Sequence, residues 1–263
     1  MVTRMKQVIK NFKKYRFLLS ELIIKDIKLK YRRSYLGILW TLLEPLLTTI
    51  VLTLVFGGLY EVKNEQFPLY IVAGRLLYTF FANATKGAMN SIRINGQMIK
   101  KVYVPKYIYP LAAIIAQYVT FLISLIVLIG VQIYTHVRPT LYTFQAIVPL
   151  IILFIMVIGV GMILATMAVF FRDMEYLWGV LLMIIMYCSA IFYYPDKLLK
   201  TSHDWILKLN PLYSVIQNFR EAIIDAKFLN LHALAYSAIF SVLTLIIGIW
   251  MFYKNQDKFI LNI

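Results

Sequence analysis

From residue 107 to 135, and again from 139 to 171, this chain carries no acidic or basic side chain. Each run is longer than the roughly 20 residues a helix needs to cross about 30 Å of hydrocarbon. Backbone in that medium must satisfy its own hydrogen bonds, which leaves helices or closed barrels. A barrel would show short alternating strands rather than long continuous apolar runs. The whole chain agrees: 61% of its 263 residues are hydrophobic, 15% are charged, and its mean hydropathy is +0.75. The expected fold is all-α and polytopic, with one transmembrane domain over 36–263 and an amphipathic interfacial helix over 1–35.

Six spans are expected, over 36–59, 68–88, 107–134, 144–171, 176–194 and 233–253. Glu44-Pro45 falls near the start of the first and Arg75 within the second. The segment 195–231 is too long for a turn and too mixed for two full spans. It reads as two short outer re-entrant helices, one over 196–209 with Trp205, Ile206, Leu207 and Leu209 as an apolar patch. The other is capped by Asn210 with Pro211 at its first position. Its apolar face is Tyr213, Ile216, Phe219 and Ile223.

The first 37 residues hold eleven Lys and Arg against Glu21 and Asp26. On a helical wheel Val8, Phe12, Tyr15, Leu19, Leu22 and Ile23 share one face, while Lys10, Lys14, Glu21, Lys25, Lys28 and Arg32 share the other. Asp26 and Lys30 interrupt the apolar stripe. Such a helix lies in the headgroup layer with its cations toward anionic lipid. With the N-terminus inside, nineteen Lys and Arg fall in cytoplasmic segments and seven in outer ones. That asymmetry places both termini in the cytoplasm. The net charge of +15 is concentrated beside the spans, so it speaks of lipid and orientation rather than nucleic acid.

Catalytic and metal motifs are absent from the pattern. No G-x-x-x-x-G-K-[ST], H-E-x-x-H or G-x-S-x-G occurs. His136, His203 and His232 are scattered without ligand spacing, and Cys188 is the single cysteine. Three features carry function. The cluster Tyr187, Phe192, Tyr193 and Tyr194 is denser than an interfacial belt needs, and such rings suit the C–H faces and hydroxyls of sugars. The connector 89–106, with Arg93, Lys100, Lys101 and Lys106 around an Asn95-Gly96 break, reads either as a docking helix or as positive-inside charge alone. Arg172-Asp173 reads as an ion pair closing a turn or as part of a gate.

Taken in order, residues 28–34 (KLKYRRS), 36–40 (LGILW) and Glu44-Pro45 resemble the start of the first span in the membrane subunits of polysaccharide ABC exporters, the type-2 ABC permeases that serve O-antigen and wall teichoic acid. Residues 99–105 (IKKVYVP) resemble that family's segment before the third span, 170–173 (FFRD) its turn after the fourth, and 209–212 (LNPL) with Phe219-Arg220 its segment before the last. Glu44 departs from the pattern, since a neutral or basic residue is common there.

The resemblance implies a half-transporter of the bacterial inner membrane: two copies as a homodimer, with two copies of a separate ATPase subunit carrying ATP and Mg. This chain itself would hold no catalytic site, cofactor or metal. The cargo would be a lipid-linked glycan. Lys25, Lys28, Lys30, Arg32 and Arg33 would attract its pyrophosphate, and Tyr187, Phe192, Tyr193 and Tyr194 would line its path. Arg93, Lys100, Lys101, Arg172 and Asp173 would dock and couple the ATPase, and the outer helices over 198–225 would gate the exit. A permease for a drug or simple lipid, or a membrane-embedded lipid or sugar transferase, are the alternatives.

Overall fold

The structure, a computed structural model, describes residues 2–32, 34–61, 64–102, 104–199, 202 and 204–262, with the side chains of 2–13, 31, 197 and 198 left aside. Arg33 and His203 lie outside the described residues. Every regular element among the described residues is helical.

The helix α1 (Val2–Tyr31) is followed by a 3-10 turn that leads into α2 (Trp40–Leu59). Next come α3 (Phe67–Ile94) and the short α4 (Gly96–Lys101), separated by Asn95. The long α5 (Ile108–Tyr134) and α6 (Ile147–Phe170) precede the shorter α7 (Met174–Tyr187). One-turn helices α8 (Asp196–Leu199) and α9 (Trp205–Lys208) lead to α10 (Pro211–Ile223), α11 (Leu231–Asn255) and a final turn α12 (Phe259–Asn262). Among the described residues, four helical stretches are long and apolar enough to cross a membrane: Gly37–Leu59, Ile108–Tyr134, Leu141–Phe170 and Leu231–Asn262. Met174–Tyr187 is apolar but shorter.

At the centre stands α3. Leu69, Val72, Ala73, Leu77, Ala84 and Ala88 along it are fully buried, because α5 and α6 cover one side and α2, α7 and α10 the rest. The tightest pair is α6 with α11, where Gly159 and Gly248 bring the two backbones together. A Cβ on Gly248 would lie 2.5 Å from the Gly159 carbonyl, and one on Gly159 would lie 2.5 Å from the Leu245 nitrogen. Small residues at the crossing allow dispersion contacts that lipid, as apolar as leucine, does not otherwise favour. By contrast α2 and α7 leave broad apolar faces open, including Leu46, Ile50 and Leu54 on the first and Leu177, Val180 and Ile184 on the second.

The apolar stripe of α1 meets protein as well as any lipid. Leu19 and Leu22 are buried in a cluster with Ile99 of α4, Tyr107 to Tyr109 at the start of α5, and Phe252 and Phe259 near the C-terminus. The N- and C-terminal segments and α4 therefore share one end of the bundle. Asp26, which interrupts the stripe, is half-buried there, and burial pushes its carboxyl above the ordinary value.

Two expectations need correction. The fifth helix ends at Tyr187 rather than 194, and 196–209 forms two single turns instead of one helix. After Tyr187 the chain turns through Ala190 with φ +47, and side chains elsewhere take over its carbonyls. Asn210 Nδ2 donates to Cys188 O (3.0 Å), Tyr70 Oη to Ala190 O (3.0 Å) and Tyr193 O (3.1 Å), and Arg220 to Ala190 O (3.0 Å) and Ile191 O (3.4 Å). Irregular backbone near a bilayer persists only where protein satisfies it in this way. In 196–209 only Leu207 of the expected patch is buried, while Trp205 and Leu209 are largely exposed. So little burial does not hold a continuous short helix.

A polar crevice that meets an aromatic groove

Three helices contribute polar stripes at helical spacing. They are Thr41, Glu44 and Thr48 on α2, Arg75, Thr79 and Asn83 on α3, and Gln117, Thr120 and Ser124 on α5. Residues three or four apart share a helix face, so each stripe points one way, and all three line one narrow crevice of about 50 Å³. Lys30 of α1 also lines it. Thr48 and Thr49 return their hydroxyls to the Glu44 and Pro45 carbonyls (each 2.6 Å), so both hydroxyls are satisfied within the helix.

Arg75 also borders a second, wider space. A groove of about 460 Å³ runs past Thr48, Val51, Phe56, Arg75, Met186, Tyr187 and Phe192. Its lining is mostly apolar, and Arg75 Nη1 donates to Met186 Sδ (3.6 Å) across it. Phe192 stacks on Phe56 with centroids 5.1 Å apart and meets Tyr187 edge-on at 6.5 Å. The two cavities thus join at a guanidinium, polar on one side and aromatic-apolar on the other.

Of the four aromatics singled out in the sequence, Tyr187 and Phe192 line this groove. Tyr187 is 56% exposed and Phe192 is buried. Tyr193 packs instead with Ala190, Leu207 and Tyr213 and donates to Tyr187 O (2.8 Å). Tyr194 packs on Tyr70 and Phe67.

The basic residues divide in the same manner. Lys30 lines the crevice, Lys25 Nζ donates to Asn95 Oδ1 (3.1 Å) at the break before α4, and Lys28 and Arg32 are exposed. Lys100 and Lys101 are exposed on α4, whose Ile99 anchors it to the cluster beneath. Arg172 and Asp173 are exposed in the turn before α7. Among the described residues the ion pair at that turn is Arg93 with Glu175, at 2.7 Å, with Asn90 bonded to both. The hydrogen bond from Arg93 holds the Glu175 carboxyl below the ordinary carboxylate value. Further along α7, Trp178 Nε1 donates to Thr85 Oγ1 (3.1 Å) and Tyr78 Oη to Leu182 O (2.9 Å). Side chains of α3 therefore hold α7 at successive turns.

Sequence reasoning noticed Arg75 and Glu44 singly and missed the crevice. Its signal was present in the spacing of Thr41, Glu44, Thr48 and of Gln117, Thr120, Ser124. It quoted Arg220 only as part of a motif and did not foresee its burial: the residue is 2% exposed. Its guanidinium carbon lies 3.4 Å from the Tyr70 ring centroid, and Nε and Nη2 donate to Tyr70 O (3.1 and 3.0 Å). Arg220 follows Ile216 by four residues and precedes Ile223 by three, so it sits on the buried face of α10. Among the described residues, no three His, Cys, Asp or Glu side chains gather as a metal would require.

The site is thus a polar crevice that opens on an aromatic groove within a helical domain rich in apolar spans. The family description "ABC-2 type transporter" matches residues 18–224, and the chain belongs to that family. It is 29% identical over 237 residues to an O-antigen export system permease protein of Klebsiella pneumoniae, covering 89% of this chain and 90% of that one. A Myxococcus xanthus protein of the same description is 24% identical over 254 residues, covering 96% and 98%. A polysialic acid transport protein of Escherichia coli is 24% identical over 246 residues, covering 90% and 92%.

Proposed function

We propose that this chain is the transmembrane subunit of an ATP-driven exporter that moves a lipid-linked polysaccharide from the cytoplasmic to the outer side of a bacterial inner membrane. The observation that carries the reading is likeness over 89% of the chain to permeases whose descriptions name polysaccharide export. That likeness favours a glycan over a drug or simple lipid, and a transporter over a transferase.

The geometry supports it. A lipid-linked glycan is an anionic, hydroxylated head on an apolar tail. The crevice offers hydroxyls and amides, the groove offers apolar and aromatic surface, and Arg75 stands where a phosphate would join them. Lys25, Lys28, Lys30 and Arg32 raise the local concentration of the anionic head. Tyr187 and Phe192 guide sugars along the groove by stacking weak enough to release them.

In this reading α2, α3, α5, α6, α7 with its following turn, and α11 are six spans. Both termini and α4 lie in the cytoplasm, as the distribution of Lys and Arg favours. Two copies pair through the open faces of α2 and α7, since one copy leaves those faces uncovered. Two copies of a P-loop ATPase bind ATP and Mg and dock on α4 (Lys100, Lys101) and on the turn with Arg93, Arg172 and Asp173. The ion pair from Arg93 to Glu175 passes their motion to α7. The outer helices α8 to α10 gate the exit.

The test is purification from the native membrane with mass spectrometry, beside deletion of the chain in its host. The expected result is a stoichiometric P-loop ATPase with bound polyprenyl-linked glycan, and loss of the surface glycan on deletion. A chain that purifies without an ATPase, in a host whose surface glycan survives deletion, overturns the proposal.

A further inference from the structure

The unburied surface of α3 is confined to one line. Between residues 69 and 93 the positions that are not buried are Arg75, Thr79, Asn83, Lys86, Asn90 and Arg93, with Gly87 beside Lys86. The six follow one another at three or four residues, so they share one helix face. Three are cations and none is acidic. The open faces of neighbouring helices differ: Ile50 and Leu54 on α2, Ile126 and Ile129 on α5, and Val180 and Ile184 on α7 are exposed and apolar. Those faces suit lipid, and the open face of α3 does not.

The stripe is long. From Arg75 to Arg93 it rises about 27 Å, close to the ~30 Å of a hydrocarbon layer. Arg75 and Lys86 each stand eight residues inside an end of α3 (Phe67–Ile94), about 12 Å in. With the helix centred in the bilayer, both fall within the apolar layer. A cation at that depth is kept where it faces water or an anion rather than lipid.

The charge of the stripe has one sign. Two acids reach it from other helices. Glu175 pairs with Arg93, and Glu44 lines the crevice with Lys30 and Arg75. Neither Arg75 nor Lys86 forms an ion pair among the described residues. All 12 Asp and Glu of the chain are residues whose side chains the structure describes, so no carboxylate elsewhere in it can offset these cations. A guanidinium carries five N–H groups. Arg75 has one of them met among the described residues, by the Met186 thioether, a weak acceptor.

Bonds from ammonium and guanidinium to phosphate are charge-assisted and strong. Lys86 and Arg75 stand about 16 Å apart along the axis, with the Asn83 amide and the Thr79 hydroxyl between them. Two strong points joined by weaker neutral ones let an anion leave the first as it nears the second. We propose that the open stripe of α3 is a track for a phosphoryl group, received by Lys86 at the end nearer α4 and held by Arg75 where the crevice meets the groove, and that it carries the diphosphate of the lipid-linked cargo. The proposal rests on the exporter reading and names the residues along which the head of its cargo passes.

The experiment is thiol labelling of the full chain, with the ATPase it brings from the membrane, in nanodiscs and on a Cys188→Ser background. Asn83→Cys and Gly87→Cys place the thiol on either side of Lys86. A Cβ on Gly87 meets the Ala113 Cβ at 3.6 Å, an ordinary contact, so that variant packs even if Asn83→Cys does not. The probes are one methanethiosulfonate bearing a sulfonate and one bearing a trimethylammonium, with rates divided by those for a free thiol in buffer. A cation about 7 Å away through water favours a unit anion over a unit cation about sevenfold. The sulfonate should therefore lead by about that factor, and lose its lead in Lys86→Gln. Ile129→Cys, on the exposed apolar face of α5, should label with neither. Undecaprenyl diphosphate in the nanodisc should slow labelling beside Lys86, and phosphatidylglycerol at the same level should not. Labelling as slow as at Ile129→Cys, equal normalised rates for the two reagents, or no protection by the diphosphate overturns the proposal. Equal protection by phosphatidylglycerol assigns the stripe to ordinary lipid headgroups and overturns it as a cargo track. If deletion of the chain abolishes surface glycan while any of these results holds, only the track falls. If surface glycan survives deletion, the exporter reading falls with it.

Discussion

Arg220 should be the most costly polar side chain to replace by its nearest chemical relative. Arg220→Lys keeps the charge and removes the planar fork that reaches three carbonyls on two segments. An ammonium cannot span them. The Ala190 carbonyl retains the Tyr70 hydroxyl, and the Tyr70 carbonyl retains its helical partner, so the Ile191 carbonyl and the ammonium itself bear most of the loss. At ~1–3 kcal/mol for each buried group left unmet, the variant should lose about 3 kcal/mol. For a domain of this size ~1 kcal/mol moves the midpoint by ~2–4 °C, so thermal unfolding in detergent, followed by size exclusion, should shift down by about 6–12 °C. Gly74 supplies a second arm. A Cβ there would overlap Arg220 Nη2, so Gly74→Ala should be destabilising in the parent and much less so beside Arg220→Lys. Contacting residues couple in this manner and distant ones do not. A midpoint for Arg220→Lys within about 2 °C of the parent, or a Gly74→Ala cost identical in both backgrounds, would refute the reasoning.

Three further outcomes follow from the packing. Gly159→Leu should abolish the folded protein in detergent extracts, because even its Cβ would press on the α11 backbone at 2.5 Å; a monodisperse variant would show that α6 and α11 can separate. Trp178→Phe should loosen α7 by about 1 kcal/mol through loss of the bond to Thr85, read as faster hydrogen exchange in α7 alone. Glu175, held below the ordinary carboxylate value by Arg93, contributes its tie when ionised. That tie is present above the ordinary value and lost as pH falls through the lowered one, so exchange at the start of α7 should match that of Glu175→Gln only in acid.

Of the six expected spans, four coincide with helical stretches apolar enough to cross a membrane among the described residues, because an apolar run of that length has little alternative to helix; the expected span 68–88 falls within α3, which is helical but less apolar. The expectation failed on α7 for a reason that hydropathy does not encode. Residues 188–194 are uncharged like those just before them, yet their carbonyls are claimed by Tyr70, Asn210 and Arg220 from other helices. The helix stops where tertiary donors compete for its acceptors. The cap of α10 was legible, since Asn210 and Pro211 act locally, and Asn210 Oδ1 accepts from the Leu212 nitrogen (3.0 Å) as that pairing predicts. The crevice was not read, although its periodicity was on the page, because each threonine or glutamine alone is unremarkable within an apolar span.

The central helix explains why the site hides from such a reading. α3 falls short of the apolarity that marks the four stretches fit to cross a membrane, yet it is among the most deeply buried elements of the bundle. Hydropathy measures suitability for lipid, and α3 meets other helices on nearly every side. Its polar residues are spent on those neighbours: Tyr70 on the turn after α7, Arg75 on Met186, Tyr78 on Leu182, Thr85 on Trp178, and Arg93 on Glu175. These contacts recur at intervals close to whole helical turns and all reach α7 or its end, a helix that otherwise buries little of its surface. Apolar contact with lipid is nearly indifferent to where α7 sits, whereas each of these bonds fixes one position along it. The polar face of α3 therefore sets the register of α7, and with it the width of the groove that Tyr187 and Phe192 line.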